Sequence, residues 1–232
     1  MSIFRTVYVT CPACNTPVAY ELVHSVNAGR RPDLRESILV GSFQLQVCPS
    51  CRQGFRIEPE FIYIDLPRQQ YIGVWPVSRR GQWRECAAKT REIFEAAMGS
   101  QAPPEARGLA EGLVVRVVFG WHALVEKILA QQAGIDDRTL EVAKLAVMRS
   151  QDEVPMPGRS ELRLVGVQEG DPLLAWVGAP QSIEDEEAPP VLRVPRQLIS
   201  DIESDPATWA AARDSAGEGD VVDFQREVLA AA

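Results

Sequence analysis

The order of patterns along this sequence predicts an α+β protein, with an antiparallel β module at the N-terminus that carries one inserted helix, followed by a helical and mixed α/β region. Three observations lead there. Short alternating runs crowd the first third, helical periodicity sets in near Gln82, and two strand-like runs, "ELRLVGVQ" and "PLLAWVG", return toward the C-terminus. The texture changes near residue 80, so the expected division is a module over residues 1–80 and an acidic helical and mixed region over 81–232.

Within the module, "FRTVYVTC" and "PVAYELVH" alternate apolar and polar residues and read as strands. "NAGRRPDLRESIL" breaks that period. Gly29 ends the strand, Pro32 suits the first helical turn, Leu34, Ile38 and Leu39 form an apolar side, and Gly41 closes the helix. "SFQLQVC", "FRIEP", "FIYIDL" and "YIGVWP" follow as strands set off by turns and prolines.

From Gln82 a helix carries Trp83, Ala87, Ile93, Phe94, Ala97 and Met98 as a loose stripe, and Pro103 with Pro104 breaks it. "LVVRVVFG" reads as a strand that feeds a helix over "WHALVEKILAQQAG", which Gly134 stops. "IDDRTLEVAKLAVMRS" is the second arm of an α-hairpin, capped by Asp136 or Asp137. A β-hairpin around "EGDP", a solvated acidic loop "SIEDEEAPP", a strand and helix in "VLRVPRQLISDIE", and a short element in "DVVDFQREVLA" complete the chain.

At 232 residues and 46% hydrophobic content the chain can bury a sizeable core. No apolar run approaches the roughly 18 residues that span a bilayer, and the start lacks the h-region of a signal peptide. The expectation is a soluble cytoplasmic protein with no membrane partner. The net charge of −8 is uneven. Residues 1–80 hold nine Lys and Arg against six Asp and Glu, and the remainder holds 15 against 26. That acidic majority argues against wide phosphate contact and leaves only the mildly basic first third for nucleic acid.

Four of the five cysteines form two CPxC pairs, Cys11 with Cys14 and Cys48 with Cys51. A tetrahedral zinc needs four thiolates at about 2.3 Å, and two tight turns supply them. Each pair is expected to form a knuckle whose amides turn toward its first sulfur. The 33-residue spacer exceeds the roughly 15–20 of compact pairs, and the inserted helix accounts for the excess. The module therefore reads as zinc-ribbon-like, with Cys11, Cys14, Cys48 and Cys51 as ligands of one structural Zn2+. After each final cysteine, where φ is positive, stand Asn15 and Arg52. Arginine adopts that conformation only at a cost, so the second knuckle is expected to be the less regular one, with Gly54 taking over its turn.

Thiol–disulfide exchange is the rival reading of CPxC. It places its first cysteine at a helix N-terminus, whereas Pro17 and the extended "PVAYEL" follow the first pair here. Cys86 lies outside both pairs and reads as an ordinary core or boundary thiol. His24 could ligate a variant site, but four thiolates already saturate zinc, which leaves it a strand-end or core role. His122 would need a catalytic partner that the sequence does not reveal. Asn27, Arg30, Arg31 and Arg35 could grip an anion, and the plainer reading makes Asn27 a turn former and Arg35 a surface or ion-paired residue. Asp136, Asp137 and Glu141 are explained by a helix start. The aromatics of "FIYIDLPRQQYIGVWP" suit a strand core better than base stacking.

In "CPAC", "SVNAGRRPDLRESILVG", "CPSC", "FIYID", "GVWP" and "RVVFGWHALVEKILAQQAGIDDRTLEVAKL", and more faintly in "LRVPRQLI" and "VVDFQREVLA", the chain resembles the CpXC family, bacterial and archaeal proteins named for two CPxC motifs. The resemblance implies a zinc-binding N-terminal module and no substrate. The leading functional expectation is a non-enzymatic binding or assembly module whose partners are proteins or copies of itself. The alternatives are a nucleic-acid-binding regulator that uses the basic first third, and an enzyme with its site away from the cysteines, for which no catalytic constellation is legible.

Overall fold

The computed structural model describes residues 2–151, 160–178 and 191–226, in an α+β fold. The expected acidic loop "SIEDEEAPP" and the end of "DVVDFQREVLA" lie outside the described residues. The chain forms two compact units, residues 1–77 with 85–121, and residues 78–84 with 122–232.

The first unit begins with β1 (Ile3–Thr10) and β2 (Pro17–Asn27), which pair antiparallel from Thr10 with Pro17 to Ile3 with Ser25. Pro17 opens β2, a position where its missing N–H costs no ladder bond, and Val18, Tyr20, Val23 and Val26 turn inward. In α1 (Pro32–Leu39) Pro32 sits in the first turn and Leu34, Arg35 and Ile38 are buried. Gly41, at φ 76°, ends it. Next come β3 (Leu45–Val47), β4 (Gly54–Arg56), β5 (Phe61–Asp65), β6 (Gln70–Trp75), α2 (Trp83–Ala97), α3 (Pro104–Ala110) and β7 (Val114–Phe119).

Five strands form one sheet in the order β1-β2-β5-β6-β7. The β2–β5 and β6–β7 pairs are parallel, the others antiparallel. A parallel pair needs a crossover, and α1 sits in the first connection, α2 and α3 in the second. Pro103 and Pro104 were expected only to break a helix. Pro104 also starts α3, because its fixed φ suits the first helical position.

α2 lies close to β6, and Gly73 makes this possible: a Cβ there would stand 2.2 Å from Thr90 Oγ1. That hydroxyl donates to the Cys86 carbonyl and accepts from Trp75 Nε1 at 3.0 Å. The expected strand aromatics are core residues, with Phe61, Tyr63, Tyr71 and Trp75 all buried and Tyr71 meeting Phe94 edge-on at 5.0 Å. Burial alone pushes the Tyr71 phenol up to about 12.

The second unit takes most of α4 (Gly120–Gln132) and then α5 (Asp137–Arg149), joined through Gly134 at φ 62°. Asp136 caps α5 by accepting from the Thr139 amide at 2.9 Å. β8 (Ser160–Gln168) and β9 (Asp171–Gly178) form the expected hairpin, turned by Glu169 and Gly170 at φ 53° and 90°. β10 (Val191–Arg193) pairs with β9, and α6 (Arg196–Ser204) follows. Beyond them lie α7 (Ala210–Ser215), β11 (Gly217–Glu218) and β12 (Val221–Val222). Leu140, Val142, Leu162, Leu164, Leu174, Ile199 and Ile202 form its apolar core.

Charged side chains are buried beside that core. Glu126, Glu141 and Lys144 are fully buried, and Arg163 is 1% exposed. A helix start therefore explains Asp136 but not Glu141, whose carboxylate pairs inside the unit with Lys144 at 2.8 Å.

Candidate metal centre

The two cysteine pairs are built alike. Residues 11–16 are the loop that joins β1 to β2, closed by the pair Thr10 and Pro17, and residues 48–53 join β3 to β4, closed by Val47 and Gly54. In the first loop the Cys11 amide donates to the Thr16 carbonyl and the Asn15 amide to the Cys11 carbonyl, both at 2.9 Å. In the second, the Cys48 amide donates to Gln53 and the Arg52 amide to Cys48, again both at 2.9 Å. Asn15 and Arg52 both carry positive φ, 58° and 65°. The second knuckle is thus as regular as the first, and Gly54 does not replace Arg52 in the turn. Paired strands on either side fix the loop closure, which imposes the left-handed backbone on whichever residue stands there.

The amides also depart from expectation. Those of Thr16 and Gln53 reach the second sulfur of their pair, Cys14 and Cys51. Such bonds lower the cost of a thiolate. The Thr16 hydroxyl, 3.3 Å from Cys14 Sγ, and the Thr16 amide draw the Cys14 thiol down to about 6. At Cys51 the Gln53 amide also favours the thiolate, but desolvation and the neighbouring sulfurs outweigh it and push the thiol up to about 12.

The loops meet so that the first cysteine of each faces the second of the other. Cys11 Sγ lies 3.7 Å from Cys51 Sγ, and Cys14 Sγ lies 3.6 Å from Cys48 Sγ. All four ligand atoms fall within 4.8 Å of one another, so they could hold one metal ion. Cys11 and Cys48 are buried, while Cys51 is exposed. Beneath them Val18, Tyr20 and Phe55 pack with both buried cysteines in a small apolar cluster. The Tyr20 hydroxyl donates to the Gln44 carbonyl, and the Gln44 side chain donates to the Glu21 carbonyl at 2.6 Å, which binds the turn before β3 to β2.

The other candidates lie elsewhere. His24 and His122 are exposed, and neither belongs to the cysteine cluster. Cys86 is a buried thiol of α2. Asn27 shapes a turn, its side-chain oxygen accepting from the Arg30 amide at 3.1 Å. Arg31 is paired with Asp33 at 2.6 Å, and Arg35 is buried 3.8 Å from Asp65. Little of that stretch beyond Arg30 is left to grip an anion.

One feature of the first unit had no signal in the sequence. The Arg56 guanidinium lies 3.5 Å over the Trp121 ring, whose Nε1 donates to the Ile57 carbonyl at 3.1 Å. Desolvation brings Arg56 down to about 10. Trp121 packs as well with Phe43 and Phe61, fixing the floor behind β4 and hence behind the second knuckle.

Among the described residues no helix is long and apolar enough to cross a membrane. No curated protein and no solved structure matches the chain. A family model, that of the CpXC protein, matches residues 9–144 and takes in both knuckles, the five-stranded sheet from the end of β1, α4 and the first part of α5. With more than half of the sequence inside that match, the chain belongs to the CpXC family.

Proposed function

We propose that Cys11, Cys14, Cys48 and Cys51 hold one structural zinc ion in a closed site, and that the protein works without catalysis, as a protein-interaction or assembly module of the cytoplasm. One observation carries the metal reading. Zinc bound by thiolates at about 2.3 Å makes a tetrahedron with edges of about 3.8 Å, and the two cross-loop distances are 3.7 and 3.6 Å. Four thiolates fill the coordination sphere, so the ion has no open position for substrate or water, and its role is to fasten two hairpin tips. Binding at such a site is worth on the order of 10 kcal/mol near neutral pH, comparable with the stability of a whole domain. Cysteine pairs that hold a metal rather than disulfides suit a reducing compartment.

The interaction reading draws on β1. It is the edge strand of the sheet, and Ile3 and Tyr8 on it are 54% and 80% exposed. A long edge with apolar side chains is a surface on which another chain can pair. Capture of partners from the native cell with tagged protein, compared with a variant carrying Ile3→Lys and Tyr8→Lys, tests it. Proteins retained by the wild type and lost by the variant are the expected result. Retention of DNA or RNA at physiological salt instead would favour a nucleic-acid regulator.

A further inference from the structure

Residues 221–225 run across the second unit and are fastened there mainly by buried polar groups. Lys127 Nζ donates to the Val222 carbonyl at 2.7 Å, and the Phe224 amide donates to Glu141 Oε2 at 3.2 Å. Arg163 donates to Asp223 at 2.7 Å, and the Gln225 side chain accepts from the Leu162 amide at 3.0 Å. Each bond ends on α4, α5 or β8, so the segment is a strap over the ionic cluster those elements share.

Among the described residues the charges in that cluster do not balance. The carboxylates are Glu126 on α4, Asp137 and Glu141 on α5, Glu161 on β8, and Asp223 on the strap. The cations are Lys127 on α4, Lys144 on α5, Arg163 on β8, and Arg80, which bonds Glu161. Among the described residues, five acids in that cluster therefore share four bases. Among the described residues, the other helices packed on α5 supply no further base to Glu141: α6 contributes Ile199 and Ile202 to the shared core, and Arg213 of α7 bonds Thr139 and Asp136.

Among the three acids nearest the strap, the fully buried Glu126 and Glu141 and the partly buried Asp223, geometry singles out one as the least supported. Glu126 receives Lys144 at 2.8 Å, Arg163 at 3.0 Å and the Leu164 amide at 2.8 Å. Asp223 receives Arg163 and, at 2.9 Å, the Gln225 amide. Glu141 shares Lys144 with Glu126, has Lys127 only at 3.9 Å, and otherwise accepts the strap's own amide.

We propose that Glu141 is a buried proton-binding site that sets how firmly the strap of residues 221–225 is held. Burial first, and then the nearby Glu126 and Asp223 carboxylates, raise its pKa to about 7 despite Lys144 and Lys127. Lifting the strap takes Asp223 away and lets water reach Glu141, so its pKa returns toward the ordinary carboxylate range of about 4.3. The closed strap thus binds the proton more tightly than the open one. By linkage, closure is favoured at lower pH and weakens as pH rises through 7. Asp223 is held below its ordinary value, chiefly by Arg163, so its own protonation acts only in acid and does not enter this window.

The test follows hydrogen exchange at the Phe224 amide of the full chain, corrected for intrinsic exchange, between pH 6 and 8. The expected result is a loss of protection of about tenfold over that range in the wild type and a flat profile in Glu141→Gln, which keeps the acceptor and cannot titrate. No pH dependence in the wild type, or the same slope in the variant, overturns the proposal. If Glu141→Gln does not fold, the carboxyl carbon resonance of Glu141 in the wild type decides. A midpoint near 7 supports the proton site, and one below 5 contradicts it.

Discussion

Asn15 and Arg52 occupy equivalent positions in two knuckles of the same construction, with φ of 58° and 65°. One residue tolerates the left-handed region and the other does not, so the fold holds Arg52 there against its preference. Arg52→Gly should therefore raise the stability of the metal-loaded first unit by about 0.5–1 kcal/mol, the relief of strain being partly offset by the flexibility of glycine in the unfolded chain. Asn15→Ala should lower it by about 1 kcal/mol. Denaturant unfolding at fixed free zinc measures both, and a destabilised Arg52→Gly would mean that its side chain serves the knuckle.

The contact between Gly73 and Thr90 predicts a core clash. Thr90 is fully buried and cannot swing aside, so Gly73→Ala should cost about 1–3 kcal/mol. Because the two sites are in contact, adding Thr90→Ala should give a double variant more stable than the sum of the single losses implies. Strict additivity would mean that α2 simply shifts.

Lys144 bridges two buried carboxylates, Glu126 and Glu141, at 2.8 Å each. Removing one member of a buried ionic group leaves its partners uncompensated, so Lys144→Met should destabilise the second unit by about 3–5 kcal/mol. The exposed pair of Lys89 and Glu92 is the control. Lys89→Met should leave the melting curve almost unchanged.

Strong chelation should unfold the cysteine-bearing hairpins of the first unit and leave much of the second unit ordered. Amide exchange read residue by residue checks this: β1 to β4 should lose protection while α5 and β8 keep theirs. Unchanged protection around both knuckles would show that hydrogen bonds and the Tyr20–Phe55 cluster hold the hairpins unaided.

The sequence made the cysteine site legible because its signal is local. Two CPxC pairs, Pro17 and strand alternation each act within a few residues, and the Asp136 cap and the turn at Glu169 and Gly170 are short-range for the same reason. Contacts set by distant pairing could not be read this way. The parallel match of Ser25–Asn27 with Ile62–Ile64 depends on a crossover that passes through the whole second knuckle. Glu141 reads as a helix-start acid in the sequence because the Phe224 amide and Asp223 that surround it enter from the strap. Alternation and spacing carry no signal for such an encounter. Arg52 shows a different limit, for there the closure of the loop overrode residue preference.

The most direct test of the cysteine site is zinc content, measured on protein purified from native-like expression and on a Cys11→Ser, Cys48→Ser double variant. About one zinc per chain in the wild type and essentially none in the variant is the expected result. Wild-type protein that is folded and free of stoichiometric zinc, or a variant that retains it, would contradict a metal held by Cys11, Cys14, Cys48 and Cys51.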